Sequence, residues 1–210
     1  MQLYKFACGP LETNSFLFAC SKTKKAAVID PSMGSASLVL RKAKAHELTI
    51  EKILLTHSHW DHIADLRQLA EQTGADVYVH QLDEKNVEEP GSDGIPLMMP
   101  IRGFKPECLL NGDDQIDIGM LRCTVFHTPG HSPGSVCYYL RDQSTLFSGD
   151  TLFAGTIGAV HFSTGEPEKM WESLRMISTL PPETRVLPGH GPETTLAKEN
   201  WLSRAKEIFS

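Results

Sequence analysis

Residues 56–62 read THSHWDH, three histidines and an aspartate within seven positions, directly behind the apolar run IEKILLT. Imidazole and carboxylate are the side chains that hold first-row metal ions through nitrogen and oxygen, so this concentration points to metal chemistry. A lone aspartate here would be an ordinary helix N-cap, and a lone histidine an ordinary hydrogen-bonded residue. Neither explains the set. A metal centre needs further donors, and the chain supplies them in three similar settings. HTPGHSPGS gives His127 and His131 after LRCTVF, FSGDTLF gives Asp150 after STL, and LPGHG gives His190 after RV. Each is edged by Gly or Pro, which let backbone bend sharply close to a site.

Positioning these donors falls to short apolar runs bounded by Gly, Pro and Asn: QLYKFAC, NSFLFAC, KAAVID, KILLT, DVYVH, LRCTVFH, SVCYYL, TLFSGD and RVLPG, all read as strands. Helical periodicity lies between them in SASLVLRKAKAHE, in DHIADLRQLAEQTG with Gly74 as its stop, in EPEKMWESLRMIS and near TLAKENWLSRAKEIF. THSHWDH therefore sits where a strand turns into a helix beginning near Asp61. Alternation lets His57 and His59 reach one point, while Asp61 and His62 project from the first helical turn toward an adjacent point. One stretch can serve two metals.

Other histidines read differently. His46, late in a helix, and His80, closing a strand, are placed in structural roles. His127 reads as a supporting or core residue, with ligation in place of His131 as the alternative. Residues 81–107 lack periodicity, and a long structureless loop is commonly functional. Either this segment is a lid, or it is a surface excursion with Met98 and Met99 tucked against the body.

At 210 residues and 40% hydrophobic, the chain is expected to form one domain, 1–210. A net charge of −6 with interspersed Lys and Glu leaves no basic footprint for nucleic acid or anionic lipid, so a small-molecule substrate is expected. Cys8, Cys20, Cys108, Cys123 and Cys137 form no CxxC pair and read as buried thiols. The opening residues lack the pattern of a signal peptide and no run reaches membrane-span length, which makes the cytoplasm the expected location. No feature of the sequence speaks to oligomeric state.

THSHWDH, TPGHSPGS, SGDTLF and PGHG, in that order, closely resemble the metallo-β-lactamase superfamily, and within it the short glyoxalase II-like hydrolases. The likeness runs from GPLETNSF and AAVIDPS to LFAGTIGA and PGHGPETT. It implies an α/β fold, a four-layer αβ/βα sandwich of two mixed sheets flanked by helices, with two divalent ions at one edge. By resemblance His57, His59 and His131 hold the first ion, Asp61, His62 and His190 the second, and Asp150 bridges them. Asp30, in VIDPS, supports the site or the fold. Zinc is the expected metal, with iron or manganese as alternatives.

Two such ions turn a shared water into a hydroxide near neutral pH, and Asp61 both ligates and orients it. The implied substrate is a thioester such as S-lactoylglutathione. Full-length glyoxalase II enzymes add a C-terminal helical domain, whereas 20 residues follow His190 here, so a short form is expected. Where relatives read GSIGRTD this chain reads GTIGAVH, and an Arg and an Asp give way to Ala159 and His161. His161 is expected to fill the vacated position, with a substrate contact as the alternative. A mono-iron persulfide dioxygenase is the rival reading, followed by a hydrolase of another small ester or lactone. β-Lactamase activity is disfavoured because the secreted zinc enzymes place Cys at the position of Asp150.

Overall fold

The computed structural model describes residues 1–209. Two six-stranded sheets form its middle. The first runs β1 (Gln2–Cys8), β2 (Thr13–Ala19), β3 (Lys25–Ile29), β4 (Thr49–Leu54), β5 (Asp76–His80), β6 (Cys108–Leu110) in spatial order. The second contains β7 (Gln115–Ile118), β8 (Leu121–His127), β9 (Val136–Leu140), β10 (Thr145–Gly149), β11 (Arg185–Pro188) and β12 (Thr194–Thr195), again adjacent in chain order. Antiparallel and parallel pairings are mixed in both, with β3–β4–β5–β6 and β10–β11 parallel.

Both faces of each sheet are buried, which is why the central strands read as near-continuous apolar runs. In β2, Phe16 and Phe18 enter the core between the sheets, while Leu17 and Ala19 face the helices on the outside. In β9, Val136, Tyr138 and Leu140 face inward, and Cys137 and Tyr139 face the other helical layer. Helices α1 (Ser35–Ala45) and α3 (Leu66–Thr73) cover the first sheet. Helix α5 (Pro167–Ile177) covers the second with Met170, Trp171, Leu174 and Ile177, the stripe expected of a half-buried helix. The layers are those of an αβ/βα sandwich.

Several elements differ from expectation. The helix expected over 61–74 is split into α2 (Trp60–Ile63) and α3, because the chain turns at Ala64 and Asp65. Asp65 accepts the Ala36 amide through its carboxylate and ties that turn to α1. The C-terminal stretch breaks into two 3₁₀ turns and α6 (Ala205–Phe209). Residues 81–107 contain α4 (Glu84–Glu88), and Met98 is exposed where packing against the body was one expectation. Cys20, Cys123 and Cys137 are buried, but Cys8 and Cys108 are only partly so because each lies in an outermost strand. No helix among the described residues is long and apolar enough to cross a membrane.

Candidate metal centre

The expected donors converge at one edge of the sandwich. His57 and His59 follow β4, and Asp61 and His62 lie in α2. His131 stands in the loop between β8 and β9, Asp150 directly follows β10, and His190 follows β11. Three overlapping sets have their donor atoms within 4.8 Å of one another: His57–His59–His131, His57–His62–Asp150 and Asp61–His62–His190. Asp150 faces both sides, with Oδ1 3.4 Å from His62 Nε2 and Oδ2 3.5 Å from both His131 Nε2 and His190 Nε2. Asp61 Oδ2 lies 3.3 Å from His62 Nε2 and from His190 Nε2.

Each imidazole is oriented by a bond at its other nitrogen. His131 Nδ1 donates to the Ala159 carbonyl at 2.7 Å, and His190 Nδ1 to the Leu11 carbonyl at 3.0 Å. His62 Nδ1 donates to Asp30 Oδ2 at 3.0 Å. The Thr56 hydroxyl gives its proton to Asp30 at 2.6 Å and so accepts from His57 Nδ1 at 3.1 Å. By the same logic Thr164, whose hydroxyl donates to the His131 carbonyl, accepts from His59 Nε2 at 3.2 Å, which assigns the lone pair of His59 to Nδ1. Asp61 is anchored by the Thr13 hydroxyl at 2.7 Å.

The chemistry of this donor set calls for a cation. His57, His62 and His131 each leave Nε2 buried without a partner, as does Asp150 Oδ1. Burial, then the crowding of neighbouring imidazoles, holds His57 and His59 well below the usual histidine range, so both are neutral with free lone pairs. Burial acts in the same direction on His62, yet the carboxylates of Asp61, Asp150 and Asp30 outweigh it and push that ring up to about 10. Burial would likewise raise Asp61, but His62, with help from His190 and Thr13, holds it well below the carboxylate range. Several buried carboxylates around uncharged lone pairs are costly without a positive partner, and divalent ions fit the cluster.

Several glycines around the donors leave no room for a Cβ, Gly149 and Gly189 among them. Gly149 has φ +48°, and a Cβ there would lie 2.5 Å from Thr56 Oγ1. A Cβ on Gly189 would lie 2.1 Å from Asp150 Oδ1 and 2.8 Å from His62 Cε1. The two sheets are also stitched together beside the cluster: Val136 donates to the Thr56 carbonyl at 2.8 Å, Tyr138 to that of Leu55 at 2.6 Å, and Asn14 Nδ2 to those of Pro188 and Gly191.

The donors open into a cleft of about 240 Å3 whose walls include Leu11, Trp60, Ile95, Phe153 and Phe162. Among the described residues its lining holds no Ser, Thr or Cys.

The metallo-β-lactamase superfamily model matches residues 8–190. The chain belongs to that superfamily. Among its relatives, the probable metallo-hydrolase YqgX of Bacillus subtilis (strain 168) is 35% identical over 202 residues, 95% of this chain and 94% of that one. A hydroxyacylglutathione hydrolase of Rhodospirillum rubrum is 34% identical over 175 residues, 83% of this chain but 60% of its own length. Among solved structures, BLEG-1, named a B3 metallo-β-lactamase, superposes with a TM-score of 0.88 at 35% identity, covering 96% of this chain and all of that one. TTHA1623, crystallised in a di-iron-bound form, gives 0.79 at 34% identity, with 93% and 96% covered. Membership of this superfamily and the likeness to a probable metallo-hydrolase support a metal-dependent hydrolase, and the His/Asp clusters imply divalent ions.

The remaining histidines stand apart. His127 donates Nε2 toward the Pro133 carbonyl and stacks on His80 with ring centres 4.0 Å apart, so it turns away from the cluster. His46 caps α1 and packs on Tyr4. His161 is exposed and is not among the residues that line the cleft, whereas its neighbour Phe162 is. Sequence reasoning missed Asp83. Buried at the start of the 81–107 segment, it accepts from the Ser58 amide at 2.8 Å, the Ser132 hydroxyl at 2.9 Å and the Gly134 amide at 2.7 Å. Thr13, Thr164 and Phe162 were missed as well, since a single Thr or Phe carries no spacing signal.

Proposed function

We propose that the chain is a binuclear hydrolase of thioesters, S-lactoylglutathione among them, with His57, His59 and His131 holding one ion, Asp61, His62 and His190 the second, and Asp150 between them. The observation that carries the reading is Asp150, whose carboxylate lies within 3.5 Å of His131 in one half and of His62 and His190 in the other, in a cluster with four orphaned donor atoms. Bound there, two divalent ions would lower the pKa of a shared water toward neutrality and stabilise oxyanion charge. The protein's own residues do the rest. Asp61, kept ionised and fixed by Thr13, orients the attacking water by accepting a hydrogen bond from it. Water is the nucleophile in this reading, and among the described residues the cleft lining offers no Ser, Thr or Cys to compete with it. Leu11, Phe153 and Phe162 give the cleft an apolar wall beside the donors.

The similarity to a hydroxyacylglutathione hydrolase supports a thioester, and the similarity to BLEG-1 puts a β-lactam in the same assay. The decisive experiment measures metal content of freshly purified protein together with turnover of S-lactoylglutathione, a lactone and a β-lactam. About two ions per chain with thioester cleavage is the expected result. Metal-loaded protein that opens lactones or β-lactams while leaving acyl thioesters intact refutes the substrate class. One iron per chain, oxygen uptake with a persulfide and no hydrolysis refutes the hydrolase.

A further inference from the structure

Beside the metal cleft lies a second cavity of about 520 Å3, lined by Gly9, Pro10, Met33, Gly34, Trp60, Met98 and Met99. None of these side chains is charged. Trp60 belongs to both cavities, and it sits between His59 and Asp61, so the apolar cavity begins where the donor cluster ends. Leu11, next to Pro10, lines the metal cleft and is 46% exposed; Met33 and Met98 are also exposed. Large apolar side chains on a surface normally mark a binding site when they are contiguous, and these are contiguous with the donors. Methionine is suited to that role because its flexible, polarisable side chain adapts to ligands of different length.

Neither cavity is lined by Lys or Arg. Glutathione carries two carboxylates, and recognising them needs cationic or amide donors that this lining lacks. We infer that the site selects its substrate by the acyl group: a straight apolar chain lies in the methionine cavity, and the thiol half is held loosely at the open side. This rests on the hydrolase reading above and names its substrate class. The reaction is hydrolysis: the acyl C–S bond breaks, water gives its hydroxyl to the acyl carbon, and its remaining proton goes to the departing sulfur.

Two measurements on metal-loaded protein test it. The first is kcat/KM for acetyl, butanoyl, hexanoyl and octanoyl thioesters of N-acetylcysteamine, a small neutral thiol. Burial of each added methylene predicts a rise of roughly fourfold per CH2 until the cavity is full. The second is binding of the straight-chain carboxylates, acetate to octanoate, followed by tryptophan fluorescence, with a parallel tightening expected. A Met98→Glu/Met99→Glu variant, altered at partly exposed positions, should flatten both series. Thioester turnover with no dependence on chain length in either series overturns the acyl cavity and leaves the hydrolase intact. Chain-length-dependent binding without turnover of any thioester upholds the cavity and overturns the hydrolase.

Discussion

Asp83 is buried at the head of α4, and its carboxylate is shared by the two loops that bear His57, His59 and His131. Ser58 lies between His57 and His59, and Ser132 follows His131 directly. Burial pushes the Asp83 carboxyl up, while bonds from Ser132, Ser58 and Gly134 oppose that rise. Replacing it by alanine strands the Ser58 and Gly134 amides without an acceptor. At roughly 1–3 kcal/mol for each buried orphan, the loss is about 2–6 kcal/mol before any water enters the space left behind. A central value near 4 kcal/mol corresponds to a fall in urea midpoint of about 2 M for a slope near 2 kcal/mol/M. Asp83→Asn keeps the volume and one acceptor oxygen, so about half that loss is expected. Loosening the loops should also weaken metal binding by about 10–100-fold, as loss of a partner behind a ligand commonly does. The assay is urea denaturation of metal-free protein, paired with chelator competition on the folded variant. If Asp83→Ala left both midpoint and metal affinity at parental values, the idea that this carboxylate clamps the ligand loops would be wrong.

Gly189→Ala should leave the sandwich folded by circular dichroism yet abolish binding of the second ion, because its Cβ would collide with Asp150 Oδ1 and His62; isothermal titration that still counts two ions refutes this. His80 is held at about 4, below its ordinary 6.5, by burial first and then by the His127 ring. The unfolded chain therefore binds the extra proton between those values, so this group's contribution is complete above pH 6.5 and is lost as pH falls toward 4. His80→Phe keeps the stack on His127 and should flatten the stability-against-pH curve in that window; an unchanged slope in urea midpoints from pH 4 to 7 counts against it.

How much was legible in the sequence follows from where the information sits. Strands such as LRCTVFH and DVYVH were visible because burial leaves a local apolar signature. The three-residue β6 and the alternating QIDI of β7 were not recognised: CLL is too short to show a period, and QIDI sits beside NGDD, which reads as loop. The split between α2 and α3 was hidden because Ala64 and Asp65 are compatible with a helix, and the break is imposed by contacts with α1 and Pro31. Among site residues, the seven donors stood out through rarity and spacing. Asp83 did not, because a single acid in a polar stretch reads as surface, and only the fold shows it bonded to both the Ser58 and the Ser132–Gly134 loops. The 81–107 segment reads from its sequence as a lid or an excursion, and nothing in that reading points to the bonds its first turn makes through Asp83.

The division of donors between the sheets has a physical consequence. The first sheet contributes His57, His59, Asp61 and His62 from behind β4; the second contributes His131, Asp150 and His190 from behind β8, β10 and β11. Neither set alone closes the cluster, since Asp150 and His131 must be brought to the histidines across the interface filled by Phe16, Phe18, Tyr138 and Phe147. Metal binding and docking of the sheets are then thermodynamically linked: an ion that binds the assembled sandwich in preference to the unfolded chain stabilises it by RT ln(1 + [M]/Kd). Asn14, Thr56 and Tyr138 stitch the sheets beside the cluster, where the donors of the two sheets meet. Those bonds hold the two half-sites in register.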